Sequence, residues 1–307
     1  MRYVVGYSAN DRGHDAVNLA VSLARGRGAS LELVLAVPEV QQFGAAHAPK
    51  AGFESLLNEQ ARQWLDAGLA LVPDDVPARA HIRSGDSDAQ TLIQAAEELG
   101  ADMLIIGATS NGLFKRFTIG SVASALLHAA TVPVALAPHG YHRTGALTRI
   151  SCGLGTRAGA EKLLDFALGM AMNRDVPLRV VSLLALDGGD SAGAAAAEGT
   201  AREYAEKHLA AALPAGDSGV QAEATAEVVV AQGRSIEEAV DRLDWEDGEV
   251  LVIGSSRLAT SRSIFLGSTA GRILRALPVP MVVVPSDYEL KHSTHSTSND
   301  TSREAQK

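Results

Sequence analysis

The 307-residue sequence has a single cysteine, only 4% aromatic residues and fewer basic than acidic side chains. Cys152 has no second cysteine to pair with, so the fold is not stapled for an oxidising compartment. With 27 Lys and Arg against 36 Asp and Glu, the formal charge is −9. That excludes a nucleic-acid binder working through a broad basic surface. No uninterrupted apolar run reaches the ~18 residues of a membrane span, and MRYVVGYSAND lacks the apolar stretch of a signal peptide. A soluble, cytoplasmic protein is expected, with neither nucleic acid nor membrane as partner. Catalytic signatures are missing too: there is no G-x-S-x-G elbow, no H-E-x-x-H helix and no G-x4-G-K-[S/T] loop. The nine histidines are scattered, with His292 and His295 near the C-terminus. No nucleophile, base and orienting group can be assembled, so no catalytic and no metal-binding residues are assigned.

What the chain does contain is 46% hydrophobic residues, over a length that suits two cores better than one. An internal repeat explains the length. LIIGATSNGLFKRFTIGSVASALLHAATVPVALAP (Leu104–Pro138) aligns with LVIGSSRLATSRSIFLGSTAGRILRALPVPMVVVP (Leu251–Pro285). Gly107 meets Gly254, Gly120 meets Gly267, Ser121 meets Ser268, Pro133 meets Pro280 and Pro138 meets Pro285, each at an offset of 147. The same offset joins Gly6 to Gly153, Ala20 to Ala167, Leu31 to Leu178 and Leu33 to Val180. Gly85 and Gly233 are 148 apart, which places one indel between there and Leu251. A period this long is a duplicated domain rather than a solenoid unit. The expected domains are residues 1–140 and 148–286, followed by a disordered polar tail at 287–307.

Each copy alternates short apolar runs with helical patterns. RYVVGY reads as a strand, His14–Arg25 as a helix and SLELVLAV (Ser30–Val37) as a second strand. Over Phe53–Leu71 the residues Phe53, Leu56, Leu57, Ala61, Trp64, Leu65 and Leu69 share one helical face. A strand near Ala78–Arg83, a helix over Asp86–Leu99, the buried strand MLIIG, a helix from Gly120 and a strand in VPVALAP complete the unit. In the second copy the corresponding second helix is expected to follow the soft stretch Ala192–Ala197. Alternating strands and helices imply right-handed crossovers and an α/β fold, with a parallel sheet covered on both faces.

The loop after the fourth strand carries the chemistry. It opens on Gly107 or Gly254 and closes on Gly120-Ser121 or Gly267-Ser268, with identical spacing of 13 in both copies. Glycine lets a main chain approach a ligand closely, and free N–H groups at a helix start beside a serine hydroxyl suit a phosphate. A glycine turn followed by a serine N-cap is the plainer reading of the same residues.

These loops resemble those of the universal stress protein family, whose signature is G-x2-G-x9-G-[S/T]. The resemblance runs from about Arg2 to Pro138 and from about Arg149 to Pro285. It implies two tandem Rossmann-like (adenine nucleotide α hydrolase-like) domains, each an open five-stranded parallel sheet of order 3-2-1-4-5. It also implies ATP, with Mg2+, held where the first and fourth strands diverge. The residues corresponding to that site are Ser8, Asn10, Gly107, Ser110, Gly120 and Ser121 in the first copy, and Gly254, Arg257, Gly267 and Ser268 in the second. Two departures stand out. The middle glycine of the signature is replaced by Ser110 and Arg257, and the Asp-Gly-Ser that commonly ends the first strand is replaced by Ser8-Ala9-Asn10 and Gly155-Thr156-Arg157. Arg257 could offer a phosphate a bidentate fork or could plug the pocket.

The resemblance implies a stress-response module with adenine nucleotide as ligand; a slow ATPase and a scaffold without nucleotide are the alternatives. Gly153-Leu154-Gly155-Thr156-Arg157-Ala158, with Asp187 beyond it, also mimics a dinucleotide fingerprint, but the first copy has no such string. Cys152, inside ISCGL, reads as a small buried hydrophobe. Pro133 and Pro280 suit edge strands. In the family the fifth strands pair, so Thr131–Ala137 and Leu277–Val284 are expected to meet across a pseudo-twofold axis as an internal pseudo-dimer; a homo-oligomer is left open.

Overall fold

The computed structural model describes residues 1–38, 51–108, 120–155, 159–186, 191–213, 226–255, 267–286 and 288. The first unit runs β1 (Arg2–Tyr7), α1 (Asp11–Ala24), β2 (Ser30–Pro38), α2 (Ala51–Leu69), β3 (Ala78–Gly85), α3 (Asp88–Glu98), β4 (Met103–Gly107), α4 (Ser121–Ala129) and β5 (Val134–Ala137). The second repeats it as β6 (Arg149–Gly153), α5 (Ala160–Met172), β7 (Leu178–Ala185), α6 (Ser191–Ala212), β8 (Ala226–Gly233), α7 (Ile236–Asp241), β9 (Glu249–Gly254), α8 (Ser268–Ala276) and β10 (Met281–Val284). Two details differ from the sequence reading. Ala192–Ala197 lies inside α6 rather than before it, because alanine loses least on entering a helix. In α2 the buried stripe is narrower than the apolar pattern. Ala61 and Leu65 are buried, whereas Leu56 and Trp64 are 65% and 42% exposed on its flank. The side chains of Phe53 and Leu57 lie outside the described residues.

All ten strands form one sheet, ordered β3-β2-β1-β4-β5-β10-β9-β6-β7-β8. Among the described residues pairing is parallel within each unit and antiparallel only between β5 and β10. There Val134, Ala135 and Leu136 face Val283, Val282 and Met281. The repeat offset carries residue 135 onto 282, so the middle rung joins a residue to its own counterpart, and the pseudo-twofold axis passes between Ala135 and Val282. Strands β5 and β10 are therefore central, not edges. Pro133 and Pro280 are compatible with that because each sits one residue before its strand. The missing N–H costs the ladder nothing there, while the carbonyls accept from Leu104 and Leu251 at 2.9 Å.

Each face of the sheet carries a core that crosses the seam. One joins Leu19 and Leu23 of α1 and Leu65 of α2 with Leu164 of α5 and Leu209 of α6. The other joins Leu92 and Leu126 with Val240 and Leu274 from α3, α4, α7 and α8. With helices on both faces, the central strands are continuous apolar runs, as burial on both sides requires. Cys152 is fully buried among them, and burial pushes its thiol up to about 12. Tyr288, at the start of the expected tail, packs edge-on to Phe166 with ring centroids 5.8 Å apart, and its hydroxyl donates to the Asp102 carbonyl at 3.2 Å. Burial pushes that phenol up to about 12 as well.

The connection between units lies on a polar stripe of α1. Gly140 N–H donates to Asp15 Oδ2 at 3.0 Å, Asn18 Nδ2 to the Tyr141 carbonyl at 2.9 Å, Ser22 Oγ to the Arg143 carbonyl at 2.9 Å and Arg25 Nη1 to the Thr144 carbonyl at 2.6 Å. Positions 15, 18, 22 and 25 share one helix face. Helix side chains thus satisfy a main chain that has no strand partner. Burial raises the Asp15 carboxyl above the usual aspartate range, although the Gly140 N–H and nearby His139 pull the other way. A raised folded-state value means ionised Asp15 opposes folding, and its contribution is lost as pH rises through that value. Asp15→Asn, which can still accept from Gly140, should raise the melting temperature at pH 7. The advantage should vanish in melts taken below the aspartate range.

At the other end of the strands, the copies use opposite charges at one corner. Glu32 in β2 is buried between Arg2, at 3.4 Å, and His81, at 2.7 Å. Its repeat-mate in β7 is Arg179, whose guanidinium meets buried Glu249 at 2.5 Å. Arg149 reaches the same carboxylate at 2.7 Å, Ser151 donates to it, and Arg179 stacks over Trp245 at 4.9 Å from the ring centroid. Removing one member of a buried ionic network leaves unpaired charge in the core. Glu249→Gln should lower the unfolding free energy by about 3 kcal/mol or more in a denaturant titration. Glu246→Gln, at a far more exposed partner of Arg149, should cost below ~1 kcal/mol.

Candidate ligand site at the carboxyl ends of the strands

In each unit the chain leaves β1 (or β6) towards one side of the sheet and β4 (or β9) towards the other, which opens a crevice where ligands of open α/β sheets bind. Gly120 and Gly267 stand at the N-caps of α4 and α8 with nearly the same backbone, φ −70 and ψ 168 against φ −69 and ψ 167. Glycine at the cap position supplies no capping side chain to either helix. Ser121 and Ser268 occupy the first helical position, where exposed serines stand beside the orphan N–H groups of a helix start. Ser110 and Arg257 lie outside the described residues, as do Thr156, Arg157 and Asp187 of the dinucleotide-like string.

The first strand's end differs sharply between copies. In the first unit Asn10 caps α1: its Oδ1 accepts from Arg12 N at 3.1 Å and Gly13 N at 3.3 Å, and from Ser8 Oγ at 2.9 Å. Ser8 and Asn10 are thus spent on one another and on the helix start. A Cβ on Gly13 would stand 1.8 Å from the Ser8 carbonyl oxygen, and one on Gly107 would stand 2.1 Å from that of Arg12. Gly107 is glycine because the α1 turn fills the space beside it. In the second unit, among the described residues, a Cβ on Gly254 would meet a Leu163 methyl at 3.6 Å, an ordinary contact. Helix α5 starts on Gly159, in the left-handed region at φ 92.

Two polar side chains at these strand ends are buried without a hydrogen-bond partner. The Tyr7 ring lies against Gly68 of α2, where a Cβ would stand 2.8 Å from Cζ, so its hydroxyl points beneath that helix. Burial raises its phenol above the usual range. Ser255 Oγ is the other; its own N–H is taken by the Val284 carbonyl at 2.8 Å, and the first unit has Ala108 in its place. A cleft of about 330 Å³ opens beside Gly267, between α4 and α8, lined among others by Ser124, His128, Ser268, Arg272 and Arg275. Arg275 pairs with Glu237 at 3.0 Å. Burial pushes the Glu237 carboxyl up, but a backbone hydrogen bond and the Arg275 and Arg272 guanidiniums outweigh that and hold it below the usual range. Among the described residues Arg272 makes no ion pair within 4 Å, and no group of three His, Cys, Asp or Glu could hold a metal. Ser255 and Arg272 escape a motif search. The signal that would have found them is the offset of 147 itself, which sets Ser255 against Ala108 and Arg272 against Ala125.

The model of the universal stress protein family matches the sequence twice, over residues 1–138 and 147–285. Universal stress protein Rv2319c of Mycobacterium tuberculosis (strain ATCC 25618 / H37Rv) is 33% identical over 303 residues, spanning 93% of this chain and 100% of its own length. Universal stress protein Mb2346c of Mycobacterium bovis (strain ATCC BAA-935 / AF2122/97) gives the same figures. Among solved structures, a universal stress protein from Archaeoglobus fulgidus DSM 4304 superposes with a TM-score of 0.67 at 14% identity, covering 93% of this chain and 98% of its own. A putative universal stress protein from Pseudomonas aeruginosa UCBPP-PA14 gives 0.57 at 18% identity, with 92% of each chain covered. At such identities the superpositions establish the fold alone. The contrast between the two β-strand glycines is open to test. Gly107→Ala should cost about 1–3 kcal/mol through overpacking against the Arg12 carbonyl, whereas Gly254→Ala should cost below ~1 kcal/mol in the same denaturant titration.

Proposed function

The chain belongs to the universal stress protein family, carrying two copies of its domain, and on that premise we propose that it is a cytoplasmic stress-response module that binds adenine nucleotide at the carboxyl-end crevices. The observation that supports this reading is the pair of Gly-Ser helix starts at Gly120-Ser121 and Gly267-Ser268, with matching backbone conformation at the switch points of the sheet. First-turn N–H groups and the positive end of the helix dipole together favour a phosphate chain. In this reading Ser121 and Ser268 add hydroxyl donors, Gly107 and Gly254 mark where the crevice opens, and Ser8, Asn10, Ser110 and Arg257 border it. Mg2+ would arrive coordinated by the phosphates, since the described residues offer no metal cluster of their own.

Calorimetric titration of the purified chain with ATP and magnesium tests this reading. Binding without release of ADP is expected, and Gly120→Val combined with Gly267→Val should abolish it by placing a side chain over both helix starts. Binding with steady ADP release would instead make the protein a slow ATPase. No binding would leave a protein-interaction scaffold.

A further inference from the structure

We propose that arginine–glutamate pairs lock both outer edges of the sheet, and that β8 is the edge at which a second copy of this chain pairs once its lock is removed. The inference is independent of the nucleotide reading above. The β5–β10 ladder removes the two inner edges, which leaves β3 and β8 as the outermost strands among the described residues. An outermost strand turns main-chain donors and acceptors away from its sheet, where another chain can add to it.

In β8 the Gly233 carbonyl accepts from Leu186 N–H at 2.9 Å, so odd-numbered main-chain groups face β7. The pleat turns those of Val228, Val230 and Gln232 outward. Guanidiniums from the two faces of the sheet take two of these carbonyls. Arg202 Nη1, on α6, donates to Val228 at 3.3 Å, and Arg242 Nη1, just after α7, donates to Gln232 at 2.8 Å. Each arginine is held by a glutamate one helical turn before it, Glu198 at 3.3 Å and Glu238 at 2.6 Å. Glu198 also accepts from the Gln232 side chain at 2.6 Å. A strand adding at the usual ~4.8 Å spacing would have to displace both guanidiniums.

The other edge is locked by different residues. Leu31 N–H donates to the Pro77 carbonyl at 2.8 Å, so Ile82 of β3 faces outward. Arg83 Nη1 takes the Ile82 carbonyl at 3.2 Å, and Arg83 Nε pairs with Glu98 of α3 at 3.4 Å. Ile82 lies beside Leu35 and Val230 beside Ser182, so these two are counterparts in the repeat. The units therefore block different carbonyls, and the counterpart of Arg83 is Ala231. One inherited contact cannot account for both locks. Strand β8 has the greater need of one. It reads AEVVVAQG, with Glu227 as its single charge, whereas β3 carries Arg79 and Arg83 itself. Antiparallel pairing of β8 with a second β8 sets valines against valines, while β3 against β3 opposes arginines. A second copy joined by a twofold axis at β8 is the occupant that follows.

The test is sedimentation velocity on the full chain over a concentration series, joined to amide hydrogen exchange. Arg202→Ala combined with Arg242→Ala should tighten self-association about 10-fold or more over the unaltered chain. The amides of Val228, Val230 and Gln232 should then exchange more slowly as concentration rises. Adding Val230→Pro, which removes an outward N–H and no ladder bond, should restore the original behaviour. Arg62→Ala with Arg234→Ala removes the same two charges from exposed positions and should change nothing. Arg242→Ala alone, at a largely exposed side chain, should shift association in the same direction and carries the test if the double variant misfolds. Association unchanged in both Arg242→Ala and the double variant would overturn the lock. Association that survives Val230→Pro, or that the charge control reproduces, would overturn the assignment to β8.

Discussion

The antiparallel ladder between β5 and β10 is the interaction on which the rest of the molecule depends. It joins two parallel five-stranded sheets into one of ten, and its central rung pairs Ala135 with its own repeat-mate, Val282. Pairing these strands removes what would otherwise be two apolar edges, which unpaired sheets must cover or blunt. It also brings equivalent helices to the same side, so each face has a core that both units share. The connection along α1 follows from that geometry. It must carry the chain from the end of β5 to the start of β6, and Asp15, Asn18, Ser22 and Arg25 bind it to the helix on the way.

A pseudo-symmetric scaffold lets its two halves diverge where packing does not hold them. The strand ends and helix starts keep their backbone, down to matching torsions at Gly120 and Gly267. The side chains around them do not. The first unit spends Ser8 and Asn10 on its own turn and leaves the Tyr7 hydroxyl unpaired, while the second leaves Ser255 unpaired and sets two arginines on α8. The charge exchange between Glu32 and Arg179 at the opposite end of the strands shows that a buried network, too, can be rebuilt once its partners change together. Such rebuilding is constrained because an unpaired charge in the core costs several kcal/mol.

Most of the architecture was legible in the sequence, because periodicity and a constant offset report burial directly. The ten strands, the helices between them and the meeting of β5 with β10 all follow from such patterns or from the family resemblance. What escaped was contact-specific. An asparagine after a strand reads equally as a helix cap or a ligand residue, and only the distances from Asn10 to Arg12 and Gly13 place it as a cap. Gly107 and Gly254 are the same letter at the same place, yet a carbonyl fills the space beside the first while a Leu163 methyl stands at ordinary contact distance from the second. The polar stripe on α1 left no motif because it binds main-chain groups, which any residue supplies. Trp64 and Leu56 were counted with the buried face of α2 because a helical stripe read from letters is broader than the strip a sheet can cover.

The helix starts at Gly120 and Gly267 are the proposed seats of a phosphate-bearing ligand. Amide hydrogen exchange, followed residue by residue with and without ATP and magnesium, tests that most directly. Slowed exchange is predicted at the first-turn amides of α4, residues 121–123, and of α8, residues 268–270. Unchanged exchange at both helix starts would contradict it.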